Sequence, residues 1–387
     1  MFCPEVIMKK VSLIELKPGM VTAEDVLNYD MKMVVPKGVV LTENIISRLE
    51  SYSIYYVSVE NEVMEQLYNK SIETAVKQET SAKESSKSRI YNSEQFAVFS
   101  RDFNQCADHF KDSLMKALYK HEPFNADGLL SETMQLMRQG ETHVSVFDML
   151  LNMRNIDDSI YAHCIDVALI SNMLARWLHF SEEEQRLATA CGLFHDVGKF
   201  MLPQTILRKP DRLTPEEFEI IKTHTTEGLH LLSKFSNIPR EVRNAALMHH
   251  EKCDGSGYPY GLKGDEIDKY SKIVTIADIF DAMTSERVYR SAMCPFTVIK
   301  SFEDEGIQKY DAKYILTFLE NVANSYLNHR VSLSNGMEGN VIFINQSDYS
   351  LPIIKCDNDE IINLQDQYYK NIMKLSNQKN VSIESII

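Results

Sequence analysis

Apolar positions recur along this chain with different periods in different stretches. From Glu94 onward Phe96, Phe99, Phe103, Cys106, Phe110 and Leu114 follow one another by threes and fours, and the stripe runs on to Ala117 and Leu118. That spacing predicts an amphipathic helix. It admits two readings: a heptad seam that would make a homodimer through helix 94–118, or a helix packed on its own domain. The crowding of Phe96, Phe99 and Phe103 at one end resembles globular packing more than a coiled coil.

After His121-Glu122-Pro123 and Asp127-Gly128 the helical pattern resumes and continues to about residue 329. The piece from Asp157 to Trp177 carries Ile160, His163, Val167, Ile170 and Leu174 on one face. Ser181, with Glu184 three residues on, is a capping-box start for a helix that ends in the run Phe194 to Lys199, FHDVGK. Thr214-Pro215 opens another helix, as a cap followed by proline at the first helical position. Its inner face is read as Phe218, Ile221, His224, Gly228 and Leu231. Pro239 opens the next, which ends at His249-His250. A glycine-rich loop then leads into a helix over Ser271–Thr284, where Val274, Ala277, Asp278 and Asp281 share a face.

The two ends of the chain have another character. Within 7–60, short β-prone runs (Val34-Val35, Val39–Leu41, Ile54–Val59) are separated by Pro18-Gly19 and Pro36-Lys37-Gly38, with a short helix carrying Ile45, Ile46 and Leu49. Beyond Val331 the segments LSNGMEGNVIFIN and LPIIK read as strands joined by an Asn335-Gly336 turn. Residues 78–93 are polar and aperiodic, a linker pattern. The expected organisation is a β-rich N-terminal module with some helix (1–77), a linker (78–93), a helical connector (94–141), a helical catalytic domain (142–330) and a β-rich C-terminal appendage (331–387). The fold class is mainly α.

Composition narrows the function. A length of 387 residues implies more than one domain, and 44% hydrophobic residues allow a sizeable core. A net charge of −14 disfavours a nucleic-acid polymer or an anionic membrane as partner. The seven cysteines are odd in number and form no CxxC pair, which points to reduced thiols rather than a disulfide framework or a thiolate zinc site. With no signal-peptide core and no run long enough to span a membrane, the expectation is a soluble cytoplasmic protein.

The histidines carry the chemistry. Taken singly, His163 or His224 on an apolar face is more often a hydrogen-bonded core residue than a ligand. Taken together, His163, His195, His224, His249 and His250 each lie on the apolar face or at the end of a helix, beside Asp196 and Asp278. Burying so many imidazoles and carboxylates in one core is costly unless something compensates. Divalent metal does so directly, and an imidazole-carboxylate set suits iron, manganese or zinc. A two-metal phosphodiester hydrolase is the reading this supports. His109, His121, His143, His179 and His230 have no such setting.

Residues 142–330 resemble an HD-GYP domain, the branch of the HD phosphohydrolase superfamily that hydrolyses cyclic di-GMP. The resemblance rests on the Tyr161–His163 region, HDVGK at 195–199, His224, HHEKCDGSGYP at 249–259 and ADIFDAMTSERVYR at 277–290. It implies an all-helical metal-dependent fold that cuts a cyclic dinucleotide to the linear pGpG, and in some members on to GMP, with a bridging hydroxide as nucleophile. It assigns His163, His195, Asp196 and Asp278 to one divalent ion and His224, His249 and His250 to the other, bridged by Asp196, with iron or manganese foremost. His195, Asp196 and Lys199 take the catalytic roles, and Lys199, Tyr258, Arg287 and Arg290 the substrate phosphates. Glu251, Asp254 and Asp281 are expected to support the loop and the ligands. Some members hold a third ion with a glutamate where this chain has Ser159, so two ions are expected here despite Asp157 and Asp158 nearby. The rivals are hydrolysis of cyclic GMP-AMP and, as a different class, a signalling adaptor that binds a cyclic dinucleotide without cutting it.

Overall fold

The computed structural model describes residues 8–60 with short interruptions, 93–139, 143–153, 160–285 apart from 208 and 210, 292–345 apart from 306–307, 348–365 and 381–386. The chain forms two compact units, Met1–Lys83 with Tyr326–Ile387, and Glu84–Ser325. The tail, expected as an appendage of the helical domain, thus groups with the N-terminal residues.

In the helical unit, Ser93 caps α1 (Glu94–Lys120) by accepting the Phe96 N–H at 3.1 Å. Its stripe of Phe96, Phe99, Phe103, Cys106, Phe110, Leu114 and Ala117 is buried throughout. It packs against α2 (Ala126–Arg138), α3 (His143–Met153) and α4 (Ile160–Trp177). Phe110 meets Tyr161 at 5.7 Å and Phe194 at 5.8 Å, both edge to face. The stripe offered as a possible dimer seam is therefore packed within its own unit from Phe96 to Ala117.

Helix α4 is buried from Ala162 to Ala175 on every face, as a helix at the centre of a bundle must be. Around it stand α1, α5 (Glu182–Phe194), α10 (Lys269–Thr284) and α12 (Ala312–Ser325). Between α5 and α10 come a 3₁₀ turn (Val197–Met201), α6 (Gln204–Leu207), α7 (Pro215–Lys222), α8 (His224–Leu232) and α9 (Arg240–Met248); α11 (Pro295–Glu305) precedes α12. The capping box read at Ser181/Glu184 is present, and the Thr214 cap proves to be a second capping box, closed by Glu217. Among the described residues no helix is long and apolar enough to cross a membrane.

One expected helix is broken. The face read as continuous from Phe218 to Leu231 belongs to two helices, α7 and α8, divided at Thr223. The Thr223 N–H and hydroxyl both turn back to the Ile220 carbonyl, at 3.1 and 2.7 Å, which tightens the last turn and ends α7. His224, Gly228 and Leu231 remain buried, whereas Phe218 is 46% exposed.

In the other unit, β1 (Met8–Ser12) pairs antiparallel with β4 (Tyr56–Glu60), and β2 (Val26–Leu27) with β3 (Met33–Val35). Leu41, Leu49, Val57 and Val59 form their core with Val11 and Val35. Val39 and Leu41, expected in a strand, lie outside the strands: Val39 accepts the Thr22 N–H and donates its own to the Thr22 hydroxyl, Leu41 donates to the Met20 carbonyl, and Val40 lies outside the described residues. The tail makes an antiparallel sheet in the order β8-β7-β6-β5-β9, from β5 (Arg330–Leu333), β6 (Glu338–Phe343), β7 (Ile353–Cys356), β8 (Ile361–Asn363) and β9 (Ile383–Ile386). The β5–β6 turn runs through Asn335-Gly336, with Gly336 at φ +80°. Strand β9 carried no distinct sequence signal; pairing with β5 defines it.

Phe110→Ala should lower the stability of the helical unit by about 3–5 kcal/mol, because it opens a cavity between α1, α4 and α5. Chemical unfolding followed by helical circular dichroism reads this. Sedimentation of the same variant should give the wild-type mass; a smaller mass than wild type would restore the stripe as a subunit seam.

Candidate metal centre

The buried end of the helical unit collects side chains from separate helices. His163 comes from the first turn of α4, His195 and Asp196 from the end of α5, and His224 from the head of α8. His249 and His250 come from the end of α9 and Asp278 from α10. His195, Asp196, His224 and His249 are fully buried, while His250 keeps some exposure.

Asp196 is the hub. Its Oδ2 lies 3.4 Å from His195 Nε2 and 3.6 Å from His163 Nε2. Its Oδ1 lies 3.4 Å from His224 Nε2 and 3.7 Å from His249 Nε2. Asp278 Oδ1 stands 3.2 Å from His163 Nε2 and 3.9 Å from His195 Nε2, and its Oδ2 is 3.9 Å from His250 Nδ1. The candidate ligand atoms of His224, His249 and His250 lie within 4.8 Å of one another, as do those of His163, His195 and Asp278.

Backbone carbonyls decide which nitrogen of each ring faces inward. His195 Nδ1 bonds to Gly192 O at 2.7 Å, His224 Nδ1 to Ile221 O at 2.6 Å, and His249 Nδ1 to Ala245 O at 3.0 Å. A carbonyl only accepts, so Nδ1 carries a proton in each ring, and His224 and His249, held neutral by burial, turn an Nε2 lone pair to the centre. His224 and His249 Nε2 consequently face each other at 3.1 Å with no proton to share. Among the described residues, His195 Nε2 and Asp196 Oδ1 are buried without any hydrogen-bond partner. Opposed lone pairs and unpartnered polar atoms in a dry core are what a divalent cation satisfies, and the donor set fits one.

The electrostatics follow from burial and charge. Burial holds His224 down to about pKa 3 and lowers His249 and His250. Burial opposes charge on His163 too, but hydrogen bonds to Asp196, Asp278 and Asp281 win and lift it well above its ordinary value. Asp196 stays well below the usual carboxylate range: Lys199, His195 and His163 outweigh its desolvation. The Lys199 ammonium donates to Asp196 Oδ2 and lies partly exposed at the edge of the site.

Close backbone approach fixes His224. A Cβ on Gly198 would sit 1.9 Å from the His224 carbonyl oxygen and 2.4 Å from Gly228 N, so only glycine lets the 3₁₀ turn lie against α8. In the loop after His250 a Cβ on Gly257 would lie 2.4 Å from Glu251 Cα. Glu251, buried, ties that loop down by accepting the N–H groups of Tyr260 at 2.7 Å and Leu262 at 2.9 Å. Asp254 accepts from Ser256 through N–H and hydroxyl at the exposed tip. Tyr258 stacks on His250, centroids 4.7 Å apart at 27°, and burial raises its phenol pKa, so it remains a donor.

Asp281 accepts from His163 Nδ1 at 2.7 Å and from the Ser285 hydroxyl at 3.0 Å, one turn along from Asp278. Thr275 escaped the sequence reading; its hydroxyl donates to the His249 carbonyl at 2.7 Å and pins the end of α9. A threonine inside an apolar helix carries no signal of that role. Arg287, Arg290 and Ser159 with its neighbouring aspartates lie outside the described residues. Of the histidines set aside, His109 pairs with Glu132 at 3.0 Å, and His121 and His179 take left-handed backbone positions (φ 55° and 59°).

Residues 128–314 match the HD domain family. A cyclic di-GMP phosphodiesterase of Pseudomonas aeruginosa is 30% identical over 200 residues, 52% of this chain and 48% of that protein. A cyclic di-GMP phosphodiesterase of Thermotoga maritima is 34% identical over 226 residues, 58% of this chain and 60% of that one. A 3′3′-cGAMP-specific phosphodiesterase of Vibrio cholerae is 40% identical over 131 residues, 34% of this chain and 28% of that one. The chain spans about half the length of these first curated relatives.

Asp281→Asn should lower affinity for a divalent cation about 10–100-fold in a metal titration, because His163 loses the carboxylate that orients it. Uptake by the wild-type protein at pH 7 should also release protons. His163 is protonated there in the metal-free state and must give up its Nε2 proton to ligate, so affinity rises with pH up to the raised His163 value. Proton release unchanged in Asp281→Asn would contradict this.

Proposed function

With residues 128–314 an HD domain, we propose that this chain is a metal-dependent phosphodiesterase that opens cyclic di-GMP to linear pGpG. The observation that carries the reading is Asp196, whose two oxygens each face a separate pair of imidazoles. On this reading His163, His195, Asp196 and Asp278 hold one divalent ion and His224, His249 and His250 the other, with Asp196 shared. Iron and manganese suit this mix of nitrogen and oxygen donors. When bound, such a pair would supply Lewis acidity toward the phosphate and lower the pKa of a bound water.

The chain's own residues do the rest. Lys199, at the edge of the site with its charge held by Asp196, offers an ammonium to a non-bridging phosphate oxygen. Tyr258, kept protonated, offers a phenol O–H from above His250. Arg287 and Arg290 follow α10 in sequence, and guanidinium forks there would serve the second phosphate of the ring. Burial of His195, Asp196, His224 and His249 excludes bulk water from the inner side, while His250, Lys199 and Tyr258 form the open side. Residues 1–77 and 331–387 have no part in this chemistry and serve as a regulatory or docking unit, with 78–93 as linker and 94–141 leading into the catalytic domain.

Cyclic GMP-AMP is a second candidate substrate, favoured by the likeness to the 3′3′-cGAMP-specific enzyme of Vibrio cholerae. Both rings present the same ribose-phosphate geometry to this site.

The test is anaerobic purification, metal analysis and parallel turnover of the two nucleotides. Wild type should contain close to two divalent ions per chain and cleave cyclic di-GMP. Asp196→Asn should lose both bound metal and at least about 10³-fold in kcat, the scale of removing a main charge-stabilising group. Faster cleavage of cyclic GMP-AMP would exchange the substrate and keep the reaction. Full activity of Asp196→Asn would remove the mechanism.

A further inference from the structure

Helix α7 is well specified yet buries none of its side chains. Thr214 accepts the Glu217 N–H at 3.2 Å and Glu217 accepts the Thr214 N–H at 2.8 Å, with Pro215 at the first helical position. A lone exposed phenylalanine would need no explanation. Phe218, 46% exposed, is not lone: its ring meets Tyr258 edge to face, centroids 6.4 Å apart at 78°. Tyr258 in turn lies on His250, so an unbroken series of rings leads from the candidate metal centre to the surface. The Lys222 ammonium stands 5.6 Å from the centre of the Phe218 ring and 5.8 Å from that of Tyr258, which ties the two rings together. It is also paired with Glu219 at 2.7 Å.

We propose that Phe218 is the platform on which a purine base of the cyclic dinucleotide stacks, with Lys222 as the positioning residue that holds this ring against Tyr258. The inference rests on the function proposed above. With a phosphate at the centre, the attached base extends outward by the width of a ribose and needs an apolar face to rest on. Any base can use an aromatic face of this kind. Glu219 already neutralises Lys222, so this part of the rim offers stacking rather than net charge. That fits a protein of net charge −14, which attracts its anionic ligand only through local groups.

The chain has a single tryptophan, Trp177, so Phe218→Trp adds one reporter at the rim. Titrating cyclic di-GMP into the metal-loaded full chain should quench the added emission saturably, with little change in wild type. Phe218→Ala should lower kcat/KM roughly tenfold, carried in KM, with wild-type metal content and unfolding midpoint; Phe218→Trp should restore KM. If wild type cleaves the nucleotide while Phe218→Ala keeps its KM and the new tryptophan is not quenched, the platform is wrong and the function stands. If the fully metal-loaded wild type neither binds nor cleaves cyclic di-GMP or cyclic GMP-AMP, the function falls and the platform with it.

Discussion

The fold depends on a carboxylate that is fully buried and yet ionised. Asp196 lies in a core where an unpaired charge would be unaffordable, and its charge is held by the Lys199 ammonium at its edge and by His163 beside it. Each partner must therefore reach the same point from its own helix. The end of α5, the first turn of α4, the head of α8, the end of α9 and one face of α10 all converge there. Such convergence requires backbone contact closer than ordinary side chains permit, and Gly198 against the His224 carbonyl supplies it. The break at Thr223 has the same result, since it places His224 at the head of a new helix and inside the core.

Main-chain carbonyls give the centre its chemical direction. By accepting from Nδ1 of His195, His224 and His249, they fix each ring with Nε2 turned inward. The same peptide groups that end helices α5 and α9 thus orient ligand atoms, so helix termination and site geometry are one event. His163 differs, because it bonds to Asp281 rather than to a carbonyl and acquires charge from the carboxylates around it. The site therefore has two electrostatic halves, one of neutral imidazoles and one where a cation and a proton compete.

From this closed interior the site opens through His250, Lys199 and Tyr258, and then through Phe218 and Lys222. Charge lies deep and aromatic surface lies toward solvent. A phosphodiester with bases attached has the matching order of groups. The loop after His250 holds this opening in shape because buried Glu251 ties down its backbone at Tyr260 and Leu262.

Much of this was readable from residues alone. Helical periodicity marked α1 and α4, capping chemistry marked the starts of α5 and α7, and the histidines could be singled out because they interrupted apolar faces where imidazole is costly. Those are local properties, and a linear sequence carries local properties well. Tertiary contact decided the rest: that the stripe of α1 is spent inside its own unit, that the face from Phe218 to Leu231 is split so that Phe218 turns outward, that Thr275 holds His249, and that the tail completes its sheet with Ile383–Ile386. None of these follows from spacing, because each depends on which distant surface arrives opposite a given side chain, and only the packed fold brings those surfaces together.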